Sequence, residues 1–70
     1  MEKNWVKIYS SAQSYSVSLV KGLLLEYDVD SIEINKQDSS YNSTIFGEIE
    51  LYVIQDNVIK AKYLIEKNDL

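Results

Sequence analysis

The chain has 70 residues, 46% of them hydrophobic and 26% charged, no Cys, no His and a net charge of −4. That composition is globular, but a chain this short buries only about 60% of its unfolded surface. With disulfides, thiolate metal sites and histidine ligands excluded, only carboxylate and carbonyl oxygens are left for a metal, and self-association is the first expected supplement to the core. All seven basic residues are Lys, so the bidentate fork that reads phosphate and guanine is missing, and an acidic Arg-free surface repels nucleic acid and anionic membranes. No apolar run approaches the ~20 residues of a membrane span. Met1-Glu2-Lys3-Asn4-Trp5 carries no signal-peptide core, so the expectation is a cytoplasmic protein with neither nucleic-acid nor membrane partners.

Taken in order, Trp5-Val6-Lys7-Ile8-Tyr9 alternates at period two and reads as a first strand, with Val6 and Ile8 inward and Trp5, Lys7 and Tyr9 outward. Ser10 and Gln13 have the spacing of a capping box. The period then becomes helical from Ala12 to Tyr27. Its stripe runs through Ala12, Leu19, Leu23 and Tyr27, widened by Val20 and Leu24 toward Val17. Gly22 inside this helix suggests a close approach to the sheet, and Asp28 suits a left-handed residue after it. Ser31-Ile32-Glu33-Ile34-Asn35 reads as a second strand, with both isoleucines inward.

A polar connection from Lys36 to Phe46 follows, long for a hairpin. Its Asn42-Ser43-Thr44 glycosylation pattern is read as chance. Gly47 to Ile54, with Glu48 and Glu50 outward and Ile49, Leu51 and Val53 inward, is the strongest strand signal in the chain. Asp56 is a natural N-cap for a second helix, whose stripe is Val58, Ala61, Leu64 and Ile65.

The order β-α-β-β-α in one domain spanning 1–70 implies an α+β fold. The first two strands form a right-handed split crossover, and the third fills the gap antiparallel to both. This is a ferredoxin-like sandwich lacking its last strand, with sheet order 1-3-2. The first strand is then an edge open to partners. The helix-free face is expected to carry Trp5, Tyr9 and Tyr52 beside Lys7, Glu33, Glu48 and Glu50. Three large aromatics on a wet face make Trp5, Lys7, Tyr9, Glu48, Glu50 and Tyr52 a candidate interaction surface, with a homodimer as the first expectation.

Trp5-Val6-Lys7-Ile8-Tyr9, Leu19-Val20-Lys21-Gly22-Leu23-Leu24, Gly47 to Val53, and Ala61 with Leu64-Ile65 together resemble a family of short bacterial signal-transducing proteins, a domain of unknown function. The resemblance spans nearly the whole chain through structural motifs. Where that family has Gly-Ile before its second strand this chain has Asp28-Val29, and where it has Pro before the last helix this chain has Gln55-Asp56. Relatives in it fold like the nitrogen-regulatory PII proteins. The PII likeness implies a regulatory loop at the Lys36 to Phe46 connection, with Asp38, Tyr41, Asn42 and Phe46 as candidate partner contacts. PII proteins also bind nucleotide through basic side chains, and no matching residues carry over here.

Enzyme readings are thin, because the common general bases and nucleophiles are missing. Glu48 and Glu50 share a face about 7 Å apart, a spacing that suits paired glycosidase carboxylates. Strand alternation explains them without chemistry, and Lys7 on the neighbouring strand is placed to pair with either. Asp28, Asp30 and Glu33 offer too few oxygens and no glycine turn for calcium. RNA stacking on Tyr9 and Tyr52 competes with Glu48 and Glu50 on the same face. The expectation is therefore a non-enzymatic binding or regulatory module without cofactor or metal, self-associating through its sheet and meeting a protein or small-molecule partner. The alternatives are a small-molecule site on the aromatic face and an RNA-binding domain.

Overall fold

The computed structural model describes residues 4–36 and 47–70. It contains β1 (Trp5–Ser11), α1 (Ser14–Glu26), β2 (Ser31–Asn35), β3 (Ile49–Ile54) and α2 (Val58–Lys67), with a 3-10 turn at Gln55–Asn57 before α2. The three strands form one antiparallel sheet in the order β1-β3-β2. This is the expected α+β arrangement, a ferredoxin-like half-sandwich. Both helices cover one face. Val17, Val20 and Leu24 of α1 and Ala61 and Leu64 of α2 enclose Ile49, Leu51 and Val53 of the central strand, and Val29 completes the core.

Alternation along β3 works as expected, since Ile49, Leu51 and Val53 are all essentially inaccessible. The α2 stripe also forms as expected, with Val58 and Ile65 packed beside buried Ala61 and Leu64. The α1 stripe is rotated from its expected position. Val17, Val20 and Leu24 enter the core, Leu23 is half-buried, and Leu19 and Tyr27 are exposed. The run Leu23-Leu24-Leu25 makes the helix apolar nearly all round, so its pattern does not single out one face.

The helix boundaries are set by backbone geometry rather than by the expected caps. Ser10 continues β1 opposite Glu50, so no capping box forms. Instead Ser11 Oγ accepts from the Gln13 N–H at 3.0 Å, and α1 begins at Ser14. Asp56 lies inside the 3-10 turn and Asn57 precedes α2. Asp28 is left-handed as expected, with φ 63°. It closes a Schellman motif in which Val29 N–H donates to Leu24 O at 2.8 Å and Asp28 N–H to Leu25 O at 2.9 Å. The two residues that motif brings together, Leu24 and Val29, are both core. The end of α2 repeats the device, with Asp69 at φ 60° and the Leu70 N–H on Ile65 O.

Gly22 departs from expectation. A Cβ built on it meets nothing within 4 Å, so no close approach to the sheet explains the glycine.

Candidate interaction face

Register, not alternation alone, decides what the helix-free face displays. β1 pairs Trp5 with Ile54, Val6 with Val53 and Lys7 with Tyr52, then shifts between Lys7 and Tyr9 so that Tyr9 lies opposite Leu51. The extra residue is Ile8. A bulge of this kind rotates every later side chain to the other face. Tyr9 therefore packs against the core beside Ile8 and leaves the outward set in which it was expected.

β2 differs from expectation more sharply. Ile32 lies opposite Tyr52 and Ile34 opposite Glu50, while Glu33 lies opposite core Leu51. Both isoleucines thus point away from the helices and remain 40% and 41% exposed. Glu33 is on the helix side, where its carboxylate is 3.8 Å from Lys21 Nζ of α1. The expected inward placement of Ile32 and Ile34 and outward placement of Glu33 are both corrected. A one-residue change of phase exchanges the two sets completely.

The open face is therefore built in rows across the strands. Trp5, 39% exposed, sits beside Ile54. The next row is Lys7, Tyr52 and Ile32, and the one after it Ser10, Glu50 and Ile34. Lys36 and Glu48 close the face, tied by the Lys36 N–H to the Glu48 carbonyl at 3.1 Å. At the other end Asn4 Nδ2 donates to Gln55 Oε1 at 3.0 Å.

Glu50 is the chemical centre of this surface. It is only 9% exposed although it lies on the solvent side of the sheet. Tyr52 Oη donates to its Oε1 at 2.8 Å, Lys7 Nζ donates to Oε2 at 3.4 Å, and Lys36 Nζ stands 3.5 Å from Oε1. Both lysine side chains remain about half exposed while their ammonium groups reach the carboxylate. The Tyr52 hydrogen bond is the largest influence holding the Glu50 carboxyl below its ordinary value, with Lys7 and Lys36 adding to it against the opposing effect of burial. The same bond pushes the Tyr52 hydroxyl up, because ionising it beside Glu50 would place two negative charges in contact.

Trp5, Lys7, Glu48, Glu50 and Tyr52 are thus gathered on one face, and the foreseen pairing of Lys7 with a strand glutamate is formed with Glu50. Ile32, Ile34, Ile54 and Lys36 join them. No sequence signal marks the two isoleucines, but Val29 holds a usable one. It is buried by the helix cap, and the odd-numbered positions after it continue on the helix side. Asp38, Tyr41, Asn42 and Phe46 lie outside the described residues.

Among the described residues no group of three His, Cys, Asp or Glu is placed to hold a metal ion, and no helix is long and apolar enough to cross a membrane. Comparisons of the chain with family models, with curated proteins and with solved structures found no match.

Proposed function

We propose that this chain is a small non-enzymatic binding module of the regulatory, signal-transducing kind its sequence resembles, working in the cytoplasm and self-associating through its sheet. The observation that carries the reading is the open face itself: Trp5, Ile54, Ile32 and Ile34 share it with a carboxylate held by Tyr52, Lys7 and Lys36. Trp5, Ile32 and Ile34, 39–41% exposed on the sheet, favour contact with another surface. Tyr52, Lys7 and Lys36 occupy both Glu50 oxygens and lower the basicity of its carboxylate, which supports a structural over a catalytic role for it. The RNA reading loses support, because Tyr9 packs inward and only Tyr52 of the expected stacking pair stays on the face. Its remaining neighbours include Glu50 and Glu48, which repel phosphate.

Native mass spectrometry of protein purified from cells, at low micromolar concentration, tests the reading. The expected result is a dimer with no added mass. A bare monomer at every concentration overturns self-association. A monomer carrying a discrete small molecule replaces this reading with a ligand site on the aromatic face.

A further inference from the structure

Gly22 has no explanation within a single chain. Its φ is not positive, a Cβ on it meets nothing within 4 Å, and it lies on the exposed side of α1, away from the sheet. Only proline is less favourable than glycine inside a helix, and what glycine gives in return is room for another backbone to come close.

The residues around Gly22 form a face that is balanced about it. On a helix, the positions three and four away on either side share a face with the central residue. Here these are Leu19 and Leu25 at three, and Ser18 and Glu26 at four, and all of them are exposed with Gly22. Leu25 is 65% exposed and Leu19 43%, and Tyr15, 71% exposed, carries the same stripe toward the start of the helix. Residues one and two away are engaged elsewhere. Lys21 pairs with Glu33, Leu23 packs against the core, and Val20 and Leu24 belong to it.

We propose that two copies of this chain pair antiparallel through the outer face of α1, crossing at Gly22. A contact about a two-fold axis needs a surface complementary to itself. Helix ridges formed by residues four apart interlock at about 50°. In that crossing the Ser18-Gly22-Glu26 ridges of the two copies lie against each other, and the paired glycines let the helix axes close up. Leu19 meets Leu19 of the second copy on one side of the crossing, and Leu25 meets Leu25 of the second copy on the other. Each Glu26 reaches Ser18 of the other copy, a hydroxyl donor for a carboxylate that no salt bridge engages among the described residues. The two Glu26 carboxylates stand at opposite ends of the contact, so no like charges meet. This self-complementarity selects a second copy as the occupant. An unrelated helix needs no leucines balanced about the glycine, and a lipid surface needs no glycine. The contact lies on the opposite side of the molecule from the open face of the sheet and does not depend on it. Three apolar side chains and a glycine per copy bury far less than the ~1,200 Å² of a stable complex, so the pairing is transient and belongs to high concentration.

The test is sedimentation equilibrium on the whole chain from low micromolar to millimolar concentration, with circular dichroism to confirm folding. The average mass is expected to go on rising at the high end. Gly22→Leu has open space for its side chain, so it is expected to fold and to abolish that rise. Ser18→Lys sets a cation against Glu26 of the second copy and tightens the pairing by roughly two- to fivefold per contact, and Ser18→Glu weakens it by a similar factor. Residues 18 and 26 are about 12 Å apart along one helix, so these charge effects act between copies. Trp5→Ser with Tyr52→Ser leaves the high-concentration rise in place. A mass that stops rising at its low-micromolar value overturns the helix contact and leaves the sheet contact standing. A chain that is monomeric at low micromolar concentration and pairs only above it, losing that pairing in Gly22→Leu, does the reverse. A rise that survives folded Gly22→Leu overturns the crossing at Gly22. So do Ser18→Lys and Ser18→Glu if they shift the pairing in the same direction or not at all, which decides the matter if Gly22→Leu unfolds.

Discussion

Gly22→Ala is the most direct check on how the helix layer meets the sheet. The residue sits in the interior of α1, is solvent-exposed, has no positive φ, and would meet nothing within 4 Å with a Cβ attached. Glycine in a helix interior is less favourable than alanine by about 0.8–1 kcal/mol, through backbone entropy that the unfolded chain alone retains. No steric term opposes the gain here. A 70-residue chain has roughly 4–10 kcal/mol of total stability, so the substitution adds about a tenth or more. In a domain of this size the melting temperature rises by about 3–8 °C. Urea and thermal unfolding followed by circular dichroism, at one protein concentration for both chains, provide the comparison. A loss of stability refutes the argument and restores the close approach that the bare sequence suggests. An unchanged midpoint refutes it too, because an unobstructed helical glycine has to respond.

Leu51→Ala and Ile34→Ala remove similar side chains from opposite faces of the sheet. Leu51, fully buried in the central strand, is expected to cost about 2–5 kcal/mol with its cavity, whereas 41% exposed Ile34 costs about 1–1.5 kcal/mol and leaves no cavity. Equal losses in urea melts of the two, made at concentrations where the chain is monomeric, would return Ile34 to the core. The Glu50 carboxyl is held below its ordinary 4.5, so its contribution to stability is fully present above that pH and is lost as pH falls through the depressed folded value. The Tyr52 hydroxyl is raised above 10.0, so its contribution is present below that pH and is lost as pH climbs through the raised folded value. Tyr52→Phe should flatten both limbs of the stability–pH curve, and a profile identical to wild type would dissolve the Tyr52–Glu50 link. Asp28→Val forces a β-branched residue to φ 63° and is expected to cost about 1–2 kcal/mol by denaturant titration, with no loss marking a relaxed helix end.

The candidate face was legible only in part. Glu48, Glu50 and Tyr52 stand out because the core alternation of β3 leaves its even-numbered positions outward, and Trp5 and Lys7 follow from the first residues of β1. Tyr9 could not be placed this way, since an alternating string does not reveal which residue a bulge takes out of step. Burial of Glu50 was equally hidden. It depends on Lys36, which lies beyond β2 in sequence and reaches the carboxylate only once Lys36 and Glu48 are paired across the sheet.

What the sequence by itself determined is the kind and order of the elements, because period two and period 3.6 are local properties of a chain, with Asp28 marking the end of the first helix. Sheet order 1-3-2 followed from that order and from the handedness of the crossover. The tertiary structure alone decided which face β2 presents and where β1 changes phase. An alternating pentapeptide such as Ser31-Ile32-Glu33-Ile34-Asn35 is satisfied equally by either face, and its phase is fixed from outside. Val29 is anchored on Leu24 by the backbone bonds that end α1, and β2 inherits its phase from that anchor. The two isoleucines are carried to the solvent side because the helix cap claims the core position first.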